Sequence, residues 1–163
     1  MSSNSVNYDT GKQGENSSWE VMAAKGFYRP TKDERKNIAA AFAAQGKTIA
    51  PKGFDLVDLH WRPRLKSGMT IAADKMVLYE LKTAGAKRKT SLKSNFNGLG
   101  FTLTANEEHN HSVLGDSQYK FILLDLKTHD CLLCTKDDFY SRARIYPTKS
   151  IFITEGIPNG SRL

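Results

Sequence analysis

The chain has 163 residues, a length suited to one domain. Its 24 Lys and Arg outnumber 17 Asp and Glu, for a net charge of +7 and a pI near 9.4, a balance that favours a polyanionic partner. No apolar run approaches a membrane span, and two cysteines without a secretory signal point to a reducing cytoplasm.

Residues 1–16 are polar and rich in Ser, Asn and Gly, and are expected to form a flexible arm ahead of a single domain over 17–163. Ser17-x-x-Glu20 opens a short helix over Ser18–Lys25. Thr31-Lys32-Asp33-Glu34 is a capping box, and the Ala-rich run behind it, with Ile38 and Phe42 on one face, predicts a helix ending at Gly46. Gly53–Trp61 reads as a strand, and Arg62–Ala73 as a hairpin connection carrying Ser67-Gly68. Met76–Thr83 is a stronger strand, followed by a long loop over Lys87–Gly100. Thr104-Ala105-Asn106-Glu107 is a second capping box, opening a helix towards Gly115. Tyr119–Leu126 is nearly continuous apolar sequence, as a strand covered on both faces requires. Cys131–Thr135 and Ser150–Thr154 are short strands, with a helix start at Thr135–Asp138 between them. The expected fold is α/β: a mixed sheet of about five strands flanked by helices.

Strand Met76–Thr83 breaks the apolar pattern. Glu80 and Lys82 fall on one face, because side chains alternate along a strand, and two charges inside an apolar strand are costly without partners. A salt bridge or a wet edge would satisfy them; so would a metal ion and a phosphate. The preceding strand adds Asp55 and Asp58, which are three apart and so face opposite ways. Mg²⁺ takes oxygen ligands and keeps several waters, so carboxylates from two neighbouring strands suit it. A Lys beside them can orient or help deprotonate an attacking water and stabilise charge developing on a phosphate.

Phe-Asp55-Leu-Val-Asp58 followed by Tyr-Glu80-Leu-Lys82 resembles the PD-(D/E)XK nuclease superfamily, and within it the small homodimeric type II restriction endonucleases. The resemblance covers Gly53–Asp138. Residue 54 is Phe, where the family often has Pro, and 24 residues separate Asp55 from Glu80 (positions 56–79), so an inserted hairpin is expected. The resemblance implies a restriction-endonuclease-like core and Mg²⁺-dependent hydrolysis of double-stranded DNA, with Mn²⁺ able to substitute. Asp55 and Glu80 would hold the metal and Lys82 would position or activate the water. It selects Asp55 over Asp58, which is left to pair with Arg62 or Arg64. It also implies a homodimer, a DNA methyltransferase acting on the same site, and a prokaryotic or phage-encoded cytoplasmic origin. A structure-selective resolvase or repair nuclease of the same fold, and a non-catalytic DNA-binding domain, remain as alternatives.

Lys87, Arg88, Lys89 and Lys93 leave the strand of Lys82 and are expected to meet DNA phosphates, with Asn95 and Asn97 reading bases. His109 and His111 fall on the helix after Thr104 and are expected to face solvent or DNA. Arg62, Arg64 and Lys66 form another basic group, and Arg142, Arg144 and Lys149 a third, near Tyr140 and Tyr146. Glu34 is accounted for by its capping box, whereas Glu20 is open to a supporting role. Cys131-Leu-Leu-Cys134 on a strand turns its two sulfurs to opposite faces, which argues against zinc.

Overall fold

Side-chain caps set the starts of three helices. The computed structural model describes residues 17–85, 92, 94–145, 150–153, 157 and 160–163, so the arm expected over 1–16 lies outside the described residues. Helix α1 covers residues 17–24 and leads into strand β1 (Phe27–Tyr28). Helix α2 (Lys32–Ala43) opens on Thr31, whose hydroxyl accepts from the Glu34 amide while the Glu34 carboxylate accepts from the Thr31 amide. Strand β2 (Leu56–Asp58) runs through a short 3₁₀ turn into helix α3 (Arg62–Ser67). Strand β3 (Leu78–Ala84) and the short β4 (Gly100–Thr102) precede helix α4 (Ala105–Gln118), which has the Thr104–Glu107 capping box. Strands β5 (Tyr119–Asp125) and β6 (Cys131–Cys134) follow, then helix α5 (Lys136–Tyr140) on a third capping box, Thr135–Asp138. Strands β7 (Ala143–Ile145), β8 (Ser150–Ile153) and β9 (Ser161–Arg162) complete the order.

The main sheet is mixed, with six strands in the order β1-β2-β3-β5-β6-β9. Strands β3 and β5 are parallel along their whole length, and their other neighbours are antiparallel. A second sheet, β4-β8-β7, is antiparallel. Alternation along β3 and β5 sorts the core into two faces. Leu78, Tyr119, Phe121 and Leu123 pack with Ile38 and Phe42 of α2, Leu65 of α3, Leu114 of α4 and Phe139 of α5. Tyr79, Leu81, Ile122 and Leu124 pack with Met22 of α1 and Phe27. Cys131 joins the second cluster and Cys134 the first, so their sulfurs do face opposite ways. No helix among the described residues is long and apolar enough to cross a membrane.

The sheet has six strands where about five were expected, and the connection over 62–73 is helical where a hairpin was expected. Pro63 lies in the first turn of α3, where its missing N–H costs nothing. Ser67-Gly68, read as a hairpin turn, is a helix end: Gly68 has φ 68°, and its N–H returns to the Arg64 and Leu65 carbonyls. Strand β2 is also shorter than expected, because Leu59–Trp61 turns into 3₁₀ geometry.

The segment entering β2 is stapled to α4. Asn110 is fully buried; its Oδ1 accepts from the Ala50 amide (2.6 Å), and its Nδ2 donates to the carbonyls of Ala50 (2.9 Å) and Gly53 (3.0 Å). The Tyr119 hydroxyl also donates to the Gly53 carbonyl. Gly53 is required by space: a Cβ there would stand 2.6 Å from the Asn106 carbonyl oxygen of α4. Removing the Asn110 amide takes away three hydrogen bonds and leaves the Ala50 N–H without its partner, while the Ala50 and Gly53 carbonyls keep the Gly53 amide and the Tyr119 hydroxyl. We expect Asn110→Ala to cost about 2–3 kcal/mol in urea unfolding. A loss below about 0.5 kcal/mol, the level of an indifferent surface change, would show that the staple does not hold this turn.

Candidate active site

The ladder between β2 and β3 ends at Leu56 and Tyr79, which leaves the next backbone groups of β3 to find other partners. Asp55 supplies one. Its amide donates to the Tyr79 carbonyl (2.8 Å), and its carboxylate Oδ2 accepts from the Leu81 amide (3.2 Å). The side chain thus lies across β3 at the level of Glu80. Asp58 faces the other side of the sheet, where it accepts from the Tyr79 hydroxyl (3.2 Å to Oδ1) and not from Arg62 or Arg64. The two candidate first carboxylates therefore separate as alternation requires.

Glu80 and Lys82 project together from β3 into the face covered by α2 and α4. Lys82 Nζ donates to Glu80 Oε1 at 3.0 Å and to Glu107 Oε2 at 2.7 Å. Glu107 is the capping-box residue of α4, and the same oxygen accepts from the Thr104 amide (3.1 Å). All three charged side chains are about nine-tenths buried. Asp55 is more open, with a quarter of its side chain accessible. Arg35 of α2 approaches it from outside: Nη2 stands 4.0 Å from Asp55 Oδ1, while Nη1 donates to the Phe54 carbonyl at 2.7 Å.

Three carboxylates thus meet two cations, and burial makes the imbalance costly. Burial, then the Asp55 charge beside it, pushes the Glu80 carboxyl far above the usual carboxylate range; Lys82 opposes this and Glu107 adds to it. Burial also raises Asp55, against the Leu81 amide, Arg35 and Lys82. Burial by itself would pull the Lys82 ammonium down, but Glu80 and Glu107 outweigh it and hold the proton on. Lys82 is therefore a cation here and not a ready base.

The structure brings Asp55, Glu80 and Lys82 together. It gives the other residues different settings. Lys87, Arg88, Lys89 and Lys93 lie outside the described residues, as do Lys149 and Tyr146. Asn95 has a left-handed backbone (φ 53°), and its Oδ1 accepts from Arg162 (3.1 Å). Asn97 is half-buried in the turn before β4. His109 is exposed, its Nε2 2.9 Å from the Thr48 carbonyl. His111, expected at a solvent or DNA surface, is turned inward against Tyr119 and Phe121, with Nε2 2.8 Å from Asp116 Oδ1. Glu20 is exposed on α1, the helix of the opposite face. Glu34 caps α2 and also accepts from the Tyr28 hydroxyl (2.8 Å).

Two site residues escape a reading of the sequence. Glu107 is fully explained as a helix cap, a local role that hides its contact with Lys82. Arg35 sits in an Ala-rich helix with no motif around it; only its place beside the Glu34 cap marks the end of α2 that meets Asp55.

Among the described residues, no group of three or more His, Cys, Asp or Glu side chains is placed to hold a metal ion. Mg²⁺ asks for less: one or two carboxylates, with water and phosphate oxygens completing the shell. Asp55 and Glu80 are hard oxygen donors with an excess of negative charge, and Asp55 is open on one side. That donor set fits a divalent cation.

Compared with protein-family models, curated proteins and solved structures, the chain matches none.

The raised Glu80 value makes stability depend on pH. A proton bound more tightly in the folded state than in the unfolded one stabilises the fold at low pH. That contribution is whole below the unfolded value, about 4.3, and is lost as pH rises through the folded one. Lys82, also raised, titrates above this window and leaves the slope unchanged. We expect the melting temperature of the metal-free protein to fall between mildly acidic and mildly alkaline pH. Glu80→Gln should flatten that fall and match or exceed the wild type at the alkaline end. Parallel pH profiles for the two proteins would contradict the assignment of an uncompensated charge to Glu80.

Proposed function

We propose that the chain is a Mg²⁺-dependent endonuclease with a restriction-endonuclease-like core, hydrolysing phosphodiester bonds in double-stranded DNA. The observation that carries this reading is the convergence of Asp55, Glu80 and Lys82 at the end of the β2–β3 ladder, with the negative charge in excess. The order of elements from β2 to α5 also supports it. The family resembled has the core order strand, strand, helix, strand, helix; β2, β3, α4, β5 and α5 follow in that order, with α3, β4 and β6 added between them.

Asp55 and Glu80 are the residues that would hold Mg²⁺ or Mn²⁺, which when bound supplies Lewis acidity to the phosphate and acidity to a coordinated water. The chain's own side chains do the rest. Lys82, kept protonated between Glu80 and Glu107, stabilises negative charge developing on the phosphate and orients the attacking water. Glu107 keeps that ammonium in place, and the Leu81 amide orients the Asp55 carboxylate. Arg35 brings a second positive charge to the open side of Asp55. A type II restriction enzyme is the specific form proposed. It would act as a homodimer so that both strands of a symmetric site are cut, beside a methyltransferase that protects the same sequence.

Incubation with plasmid DNA tests this. We expect discrete fragments with Mg²⁺ or Mn²⁺, none after chelation, and binding without turnover in Ca²⁺. Glu80→Ala and Lys82→Ala should each lower cleavage by about a hundredfold or more while remaining folded. Mg²⁺ should raise the melting temperature of the wild type and not of Glu80→Ala, a readout independent of turnover. Full activity in either variant, or cutting that survives chelation, would overturn the proposal. Cleavage confined to branched DNA would instead identify a structure-selective nuclease.

A further inference from the structure

A cleft of about 720 Å³ opens between the start of α2, the turn at residues 50–52 and the first turn of α4. Arg29, Lys32, Arg35, Lys36 and Lys52 line it, and none of its lining residues is acidic. Lys32, Lys36 and Lys52 are exposed, and the pair Lys36 makes with Asp33 at 3.0 Å is an open surface contact that water and salt weaken. Between the cations stand Pro30, Ala50 and Pro51, rigid apolar walls of low polarisability that concentrate the field of the charges beside them. The helix starts at this cleft are partly capped. Each capping box engages the N-cap amide and one first-turn amide, those of Thr31 and Glu34 at α2 and of Thr104 and Glu107 at α4, and the long cationic side chains add their charge beside them. Long Lys and Arg side chains along a groove neutralise the phosphates of a charged backbone whatever its sequence. Arg35 belongs to both places: it lines the cleft, and its guanidinium lies 4.0 Å from Asp55.

We propose that this cleft holds the phosphodiester backbone of a DNA strand on one side of the bond to be cut, with Arg35 at the point where the cleft meets the carboxylates. The assignment rests on the nuclease reading for where the strand leads; the binding itself does not. It locates a phosphate track at residues 29–52, a different stretch of the chain from the basic run after β3 that the sequence pattern favoured.

The test uses the full chain and a fluorescent mixed-sequence DNA duplex, titrated in chelating buffer at several salt concentrations so that binding is read without cleavage. The cleft variant carries Lys32→Glu with Lys52→Glu; the control carries Lys75→Glu with Lys127→Glu, an equal change of charge at exposed positions outside the cleft. Thermal melts check that both fold, and Lys32→Arg with Lys52→Arg should retain wild-type binding. We expect the cleft variant to bind about tenfold or more weaker, with a salt slope shallower by about 0.9 for each phosphate no longer neutralised. The control should stay within about twofold of the wild type. Equal weakening in both variants, or an unchanged slope in the cleft variant, would overturn the proposal. Selective weakening of the cleft variant in a protein that never cuts DNA would uphold the cleft and remove the nuclease reading. Wild-type cutting with cleft variants that bind normally would do the reverse.

Discussion

The contact between Lys82 and Glu107 joins the two halves of the candidate site. One oxygen of Glu107 accepts both the Lys82 ammonium and the Thr104 amide. The start of α4 and the charged end of β3 are thereby fixed by a single carboxylate. Three residues on, and so on a neighbouring part of the helix surface, Asn110 fixes the 50–53 turn from which Asp55 emerges. One helix therefore sets the position of both strands' functional side chains. The close approach of Gly53 to Asn106 is the steric counterpart of the same constraint.

A buried ion cluster is a poor way to stabilise a fold. Replacing such groups by well-packed apolar residues is often neutral or favourable, whereas removing one partner leaves an uncompensated charge. The arrangement around Lys82 is costlier than a simple pair, because three carboxylates share the site and the second cation, Arg35, stands nearest the outermost of them, Asp55. The surrounding core compensates. Tyr119, Phe121 and Phe139 form an edge-to-face series on the same face of the sheet, with centroids 5.5 and 4.9 Å apart. Strands β3 and β5 pair without interruption beneath it. The opposite face, packed under α1, joins Met22, Phe27, Leu56, Leu81, Ile122 and Leu124, with Tyr79 donating to Asp58 in a part-buried contact. The asymmetry between the two faces is what marks one of them as a site.

How much of this is readable in the chain depends on how local the cause is. The capping boxes at Thr31 and Thr104 are short local patterns, and both helices start there. The continuous apolar run of β5 and the alternation of β3 likewise carry their own evidence. Strands β1 and β9 have two residues each, too few for any period, and exist because an edge of the sheet is available to pair with. Helix α3 reads as a hairpin because Ser67-Gly68 suits a tight turn and a helix end equally; only the packing of Leu65 against the core decides between them. Asp55 and Glu80 stand out through their pattern. Glu107 and Arg35 do not, since one has a sufficient local explanation and the other none. The basic cleft draws its cations from positions 29 to 52, where they are spread among Pro, Ala and other residues and form no run.

The protonation of Lys82 narrows the chemistry further. A lysine acts as a base when burial dominates and its ammonium is left without anions. Here the order is reversed: burial favours the neutral amine, yet two carboxylates within hydrogen-bonding distance retain the proton. The anion that gains a proton most readily in this cluster is Glu80, buried between Asp55 and the lysine. Any change that draws charge from Asp55 and Glu80 also loosens their hold on Lys82, leaving Glu107 as its remaining anchor. The helix cap then becomes the group that decides whether the ammonium stays charged and where it points, which ties the geometry of α4 to the electrostatics of β3.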